Sequence, residues 1–503
     1  MNIKRAKQEI KHAIEAYLLK DEEGNYEIPS QRQRPIFLIG APGIGKTQIM
    51  EQISKECEIG LVAYTITHHT RQSAIGLPFI STHIYDGNEY SVTEYTMSEI
   101  VASVYNKIEE SGLKEGILFI DEINCVSETL APAMLQFLQY KTFGNHAIPE
   151  GWIIVAAGNP PEYNKSVREF DVVTMDRVKK IEVEPDFSVW KEYAYVQDIH
   201  PAVISYLELR KQNFYRVETT VDGKRFATAR GWEDLSRLIQ VYEKLEITVD
   251  WEVVVQYIQY PKIAKDFANY LELYYKYQAD YQIEQVMQGK IDPILVKKVG
   301  HASFDEKLSV VSLVLAKTVE AFRQTYKKEA SITVLFEKLK GYKSGSLSLK
   351  QICEEMEQTL NSKKKAKILN REEGYALKQT IEKLEQYEKL LKEAGNPEHE
   401  AAFELVKKEF AKENEAYQKE LDAAGQMLEY GFDFMEIAFG NSQEMTVFVT
   451  ELNTNFYSVQ FLQNYECKRY YQYNKNLLFD EKRKNILNRI DNLVTAHTSV
   501  NSK

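Results

Sequence analysis

The sequence predicts an α/β fold, a core on a parallel five-stranded sheet, followed by a long all-α region. Three observations predict it. Between residues 35 and 183, five short apolar runs alternate with helical patterns. That is the rhythm of parallel strands covered on both faces. Two of those runs lead into polar turns that can carry chemistry, GAPGIGKT at 40–47 and DEIN at 121–124. After Glu184-Pro185 the strands largely stop, and apolar residues recur at helical spacing toward the C-terminus.

The elements follow in order. Ile3, Ile10, Ile14, Tyr17 and Leu18 fall toward one side of an N-terminal amphipathic helix. PIFLIG (35–40) is the first strand, and a helix follows over 46–57, stopped near Gly60. LVAYTIT (61–67) is β-branched and reads as the second strand. IYDGNEY, with Asp86-Gly87-Asn88 between alternating arms, marks a β-hairpin inserted near 80–96. Ser98 is an N-cap for a helix with Ile100, Val104 and Ile108 on one face, ended by Gly112. ILFID (117–121) is the third strand, and a helix carries Leu130, Met134, Phe137 and Leu138. WIIVAAG (152–158) and KKIEV (179–183) complete the sheet. In the helical remainder one weak hairpin-like break falls at Asp222-Gly223. Over 375–430, Leu377, Ile381, Leu384, Tyr387 and Leu391, then Phe403, Val406, Phe410, Tyr417, Leu421 and Leu428, flank the breaker GNPE. This is a helical hairpin that either zips as an antiparallel coiled coil or joins an ordinary bundle. The tyrosine-rich stretch 464–476 reads as amphipathic helix in preference to a base-stacking surface.

Composition bounds the function. With 503 residues, and domains of roughly 100–200 residues, two to four domains are expected. Apolar residues at 44% and charged residues at 27% are an ordinary globular balance. Cys57, Cys125, Cys353 and Cys467 form no CxxC pair, so they suit reduced thiols and not a disulfide framework or zinc site. A net charge of −11 argues against a chain that wraps nucleic acid or sits on an anionic membrane. No apolar run reaches the roughly 18 residues of a membrane span, and the N-terminus lacks the apolar segment of a signal peptide. The expected location is the cytoplasm.

Three stretches carry chemistry. GAPGIGKT fits GxxxxGK[ST] at every fixed position, after a strand and opening a helix. Gly40, Pro42, Gly43, Ile44, Gly45, Lys46, Thr47 and Gln48 are therefore the candidate phosphate-binding residues. Glycines let backbone N–H groups turn inward around a phosphate, and the helix N-terminus adds its positive end. Lys46 reaches the β- and γ-phosphates, and Thr47 offers a hydroxyl to Mg²⁺. Asp121 ends an apolar strand and would hold the same ion, while Glu122 is placed to orient or deprotonate an attacking water. Asn159, after the fourth strand, holds that water or senses the γ-phosphate, or else merely makes an Asn-Pro turn. The expected ligand is a nucleoside triphosphate with Mg²⁺.

GAPGIGKT, LFIDEIN and AAGNPPEYN, in this order, resemble the AAA+ ATPases, closest to the MoxR-like branch with its GxPGxxKT, FxDExN and AxxNP segments. The resemblance covers about 32–275. It implies a core over 1–183, with the IYDGNEY hairpin as a helix-2 insert. An all-α lid over 184–275 and a helical C-terminal extension over 276–503 follow. TFGNHAIPEGW fits a second loop before the sensor strand, with His146 as a surface or pore contact. VTMDRVKK resembles the segment that bears the arginine finger, pointing to Arg177, although Val178 stands where Phe is usual and Arg168 is a rival. FATARGWEDL resembles the start of the sensor-2 helix, pointing to Arg230. The His68-His69 pair with Arg71 suits a pore or nucleotide-edge contact and is too few ligands for a metal. The resemblance further implies ATP hydrolysis between subunits of a ring, expected to be a hexamer, that remodels a partner protein, often one with a von Willebrand factor A domain. The rival readings are a nucleic-acid motor or restriction-type translocase, and a scaffold whose assembly ATP controls.

Overall fold

The computed structural model describes residues 1–68, 71–163, 167–168, 170–221, 223–345 and 347–475, without the side chains of His68, Arg71 and Ser73. His69 lies outside the described residues, so the expected His68-His69-Arg71 contact does too.

Five parallel strands form the central sheet: Ile36–Gly40, Gly60–Thr65, Gly116–Asp121, Trp152–Gly158 and Lys179–Val183. In space the order is second, third, fourth, first, fifth. Side chains alternate between the faces with period two. Ile36, Leu38, Ile117, Phe119, Ile153 and Val155 belong to one buried layer. Phe37, Leu118, Ile120, Ile154 and Ala156 belong to the other. Helices Ile3–Leu18 and Lys46–Glu56 cover the first layer, and Glu99–Ser111 and Ala131–Tyr140 the second. Two caps set helix starts. Asn2 accepts from the Arg5 N–H at 3.0 Å, and Ser98 accepts from the Val101 N–H at 3.2 Å.

Register fixes which strand ends meet. Ile39 pairs with Gly158, Gly40 with Val183, and Ile120 with Ala156. Gly40, Asp121 and Gly158 therefore share the carboxyl edge of the sheet, where open α/β sheets take their ligands.

The insert is a hairpin of Pro78–Tyr85 and Asn88–Tyr95. Asp86 (φ 47°) and Gly87 (φ 80°) make a two-residue turn with both residues left-handed, as a type I′ turn requires. Asn88 already belongs to the second arm. A smaller hairpin, Thr142–Phe143 with His146–Ala147, touches it where a His146 ring nitrogen lies 3.0 Å from the Tyr95 carbonyl oxygen.

The helical half departs from expectation twice. The segment expected to be an all-α lid contains an antiparallel hairpin, Arg216–Thr220 with Gly223–Ala227. Its arms are rich in β-branched residues at the Val217-Thr219-Thr220 end, which favours strand over helix. The boundary placed at 275 also falls inside a helix, Pro261–Asp280, and one continuous buried cluster runs from Phe187 to Tyr470. Lid and extension share a core because the apolar face of that helix stays buried through Tyr274 and past it to Tyr281.

Beyond it, Phe304–Lys343, Leu349–Ala366, Arg371–Glu393 and His399–Phe439 run out and back as a four-helix bundle. The outer pair, of 40 and 41 residues, are each roughly 60 Å long at the α-helical rise. The helical hairpin read from 375–430 is present, with Lys383 and Glu413 paired across it at 2.6 Å. It is not a freestanding two-helix zipper. Leu377, Ile381, Leu384 and Val406 share a buried cluster with Leu335, Leu339, Ile352 and Met356 from the other two helices. The narrow apolar stripe is completed by neighbours that are invisible in the hairpin's own sequence. In the tyrosine-rich stretch Tyr470 is buried, and Tyr473 stacks on Phe432 at 6.0 Å. Among the described residues no helix is long and apolar enough to cross a membrane.

Candidate functional site

The loop between the first strand and helix Lys46–Glu56 turns through Gly43 (φ 74°) and Gly45 (φ 93°). These left-handed conformations strain any residue with a Cβ, which is why the loop needs glycine there. Lys46, only 8% exposed, donates to the carbonyls of Gly40 (2.7 Å) and Ala41 (3.0 Å) and to Asn159 Oδ1 (2.9 Å). Burial pushes its pKa down to about 8, opposed by the Asp121 and Glu122 charges and reinforced by Arg230. Thr47 Oγ1 donates to Asp121 Oδ2 at 3.2 Å, so a hydroxyl and a carboxylate already face one another. Both are hard oxygen donors of the kind Mg²⁺ takes.

Glu122 follows in a left-handed conformation (φ 57°) that turns the chain sharply out of the strand. Thr67 Oγ1 donates to its carboxylate at 3.2 Å. A non-glycine residue held at positive φ on a ligand-binding edge is a common mark of a functional position.

Asn159 is held by its backbone. Its carbonyl accepts from Asn124 Nδ2 at 2.8 Å, and its N–H donates to Asn124 Oδ1 at 3.3 Å. A Cβ on Gly158 would lie 2.5 Å from Asn124 Oδ1, so glycine there makes room for the clamp. The clamp leaves the Asn159 side chain to meet Lys46 instead of folding into a turn.

The helical half closes on the loop. The Arg230 N–H donates to the Gly43 carbonyl at 3.2 Å, and Tyr215 donates to the Pro42 carbonyl at 2.9 Å. Gln48 Nε2 donates to buried Glu233 at 3.3 Å, and Glu233 also accepts from Tyr193. The Arg230 side chain is exposed, beside the loop its backbone touches. Next to Ile44, Gly45 and Ile49 opens a cleft of about 600 Å³ with Pro185, Val189 and Trp190 on its far side. Its size suits a nucleoside, with apolar surface from Ile44, Ile49, Val189 and Trp190 for a flat base among charged residues such as Lys4, Lys55 and Glu184.

The two arginines lie at opposite ends of the sheet. Arg177 is exposed, two residues before the Lys179 that pairs with Ile36 at the amino end of the first strand. Its guanidinium donates to Gln139. That strand's five residues hold the guanidinium roughly 16 Å or more from the phosphate loop of its own chain. Val178, in the place where Phe is usual, is buried in the sheet's second layer. Arg168 belongs to the carboxyl edge: its N–H donates to the Asn124 carbonyl at 2.9 Å, and its guanidinium pairs with Glu128 at 2.7 Å.

Lys46, Thr47, Asp121, Glu122 and Asn159 thus converge, and Arg177 does not join them. Sequence reasoning missed Thr67, Tyr215 and Glu233, which carry no motif. Asn124 was visible as the last letter of DEIN, but its clamp was not. Among the described residues no cluster of three His, Cys, Asp or Glu side chains could hold a metal.

No curated protein matches this chain. Among solved structures, a RuvB mutant of Thermotoga maritima is similar at 15% identity and a TM-score of 0.29, over 52% of this chain and 69% of that one. A likeness so loose adds nothing to the geometry. The sheet, its phosphate loop and the helices that follow form an AAA+ fold, and residues 35–178 match the family described as AAA domain (dynein-related subfamily).

Proposed function

We propose that the chain binds Mg-ATP and hydrolyses it at sites shared between the subunits of a ring. The observation that supports this most is the convergence at one sheet edge of a buried lysine, a hydroxyl–carboxylate pair, a strained glutamate and a clamped asparagine, beside an apolar cleft. In this reading Lys46 and the loop N–H groups hold the phosphates, and Arg230 follows them from the lid side. Thr47 and Asp121 hold Mg²⁺, which when bound neutralises charge on the phosphates. Asn159 orients the attacking water. Glu122 accepts its proton as the water oxygen bonds to the γ-phosphorus and the bond to the ADP oxygen breaks.

Arg177 supports shared sites. It lies too far from its own loop to act there, and its exposure suits a neighbour's site. The two hairpins, 78–95 and 142–147, agree with a MoxR-like remodeller, and the first partner class to test is a protein with a von Willebrand factor A domain. Lys46→Ala should lose nucleotide affinity, while Glu122→Gln should bind ATP, stall, and retain partners in a pull-down. Unchanged ATP affinity of Lys46→Ala in a calorimetric titration would sink the site assignment.

A further inference from the structure

The cleft beside the phosphate loop has a wall that comes from far along the chain. Asn370, Arg371 and Glu372 line it, together with Gln52, Lys55 and Glu56 along the phosphate-loop helix and Ile44 and Gly45 at that helix's start. They form the corner between bundle helices Leu349–Ala366 and Arg371–Glu393.

This corner is fastened to the α/β core. Lys107, on helix Glu99–Ser111 and 8% exposed, donates to the Ala366 carbonyl at 2.7 Å. That carbonyl is one of the last in its helix, which have no partner within the helix. Lys363 reaches Glu58, just past the helix that the phosphate loop opens, at 3.4 Å, and Glu373 at 2.7 Å. On the other side Tyr457 donates to Glu372 at 3.2 Å. Asn370 caps its helix by accepting from the Glu373 N–H at 2.7 Å. A wall braced on both sides is already ordered, so a ligand that touches it loses little freedom in doing so.

Resting on the ATP-binding reading above, we infer that Arg371 is an affinity-determining contact for the nucleoside half of the nucleotide, presented in the same chain by a corner that Lys107 and Lys363 hold in position. A guanidinium offers a planar fork of donors, and the purine edge and ribose offer acceptors. By linkage, whatever the nucleotide gains from the corner the corner gains from the nucleotide. The bundle would then tighten on the core when the cleft is filled.

Titration calorimetry of the full chain with ADP tests this, with Lys46→Ala as the reference for the site itself. Arg371→Ala should weaken ADP binding roughly tenfold, the scale of one lost charge-assisted hydrogen bond. Its affinity for inorganic tripolyphosphate, which has no nucleoside, should stay unchanged. Lys107→Met, which keeps the buried stem and deletes the donor, should weaken ADP binding less. Hydrogen exchange should find residues 363–373 protected by ADP in the wild type and unprotected in Lys46→Ala. ADP affinity unchanged in Arg371→Ala while Lys46→Ala loses it overturns the wall and spares the site. Unchanged affinity in both overturns wall and site together. Absence of ADP-dependent protection at 363–373 in the wild type, with ADP bound, also overturns the wall and needs no variant that must fold.

Discussion

The α/β core and the helical bundle organise function by opposite means. In the core each chemical group hangs within a few residues of a strand end, and the sheet brings the ends together. Gly40, Asp121 and Gly158 need only the register of three neighbouring strands to meet. Among the described residues the bundle adds none to the group that converges at that edge. Its contributions are single contacts made at the corners of long helices, such as Ala366 to Lys107. A rigid sheet gives precision to the chemistry. Long helices that share buried residues with the 184–281 region along one half, beside the pinned corner at 363–373, suit reporting whether the site is filled.

The largest expected effects lie in the core. Arg177→Ala should bind ADP normally and lose about 10³–10⁵-fold in turnover, the usual scale for an arginine finger. Mixing it with Lys46→Ala subunits should restore some activity, because a shared site can pair an intact loop with an intact finger. Dead mixtures, with rescue by Arg168→Ala mixtures instead, would move the finger to the carboxyl edge. Glu122→Gln should lose about 10²–10⁴-fold in steady-state turnover with ATP binding kept. Removal of the Thr67 hydroxyl should cost less, since Thr67 acts through the Glu122 carboxylate it donates to.

The bundle should respond in stability. Leu384 is fully buried among residues of four helices. Leu384→Ala should lose about 2–5 kcal/mol from the unit that contains it. Calorimetry then sharpens the comparison. If core and bundle unfold separately, one transition shifts and ATPase persists below it. If the corner at 363–373 couples them, a single transition shifts and turnover falls with it. The hairpin over 375–430 completes a four-helix cluster and cannot be removed without exposing that cluster.

What could be read from the sequence follows the same division. The five strands were legible because each is a short apolar run bounded by a turn. The phosphate loop was legible because Gly43 and Gly45 must be glycine and Lys46 must follow them. Asp86-Gly87 announced its hairpin by the same backbone rule. The bundle was not legible at that level. The stripe through Leu377, Ile381 and Leu384 says that one face is buried but not against what, and its partners Leu335 and Ile352 lie on other helices. Thr67, Tyr215 and Glu233 were missed for a related reason: each acts on a residue distant in sequence, and none belongs to a local pattern. The hairpin Arg216–Thr220 with Gly223–Ala227 lay between, visible as a weak break at Asp222-Gly223 and overruled by the helical patterns around it.

The smallest expected effect is one of pH, and it returns to the core. Lys46 has its pKa lowered from 10.5 to about 8, first by burial. Arg230 adds to the lowering, while Asp121 and Glu122 oppose it. Below pH 8 the empty site therefore holds an ammonium ready for phosphate. Above it the lysine is neutral, and binding must first take up a proton. ADP affinity should be level near pH 7 and fall by up to about tenfold per pH unit above pH 8. The sign for stability is the reverse. Between about pH 8 and 10.5 the unfolded chain binds a proton at this lysine that the folded chain does not, so Lys46 adds stability as pH rises through that window. Calorimetric titrations from pH 7 to 9.5, paired with melting curves, read both effects. Lys46→Ala should flatten the affinity profile that remains. Arg230→Ala should move the fall to higher pH, since it removes a charge that lowers the lysine's pKa. A fall of the same size in Lys46→Ala would assign the titration to another group and leave the lysine charged throughout.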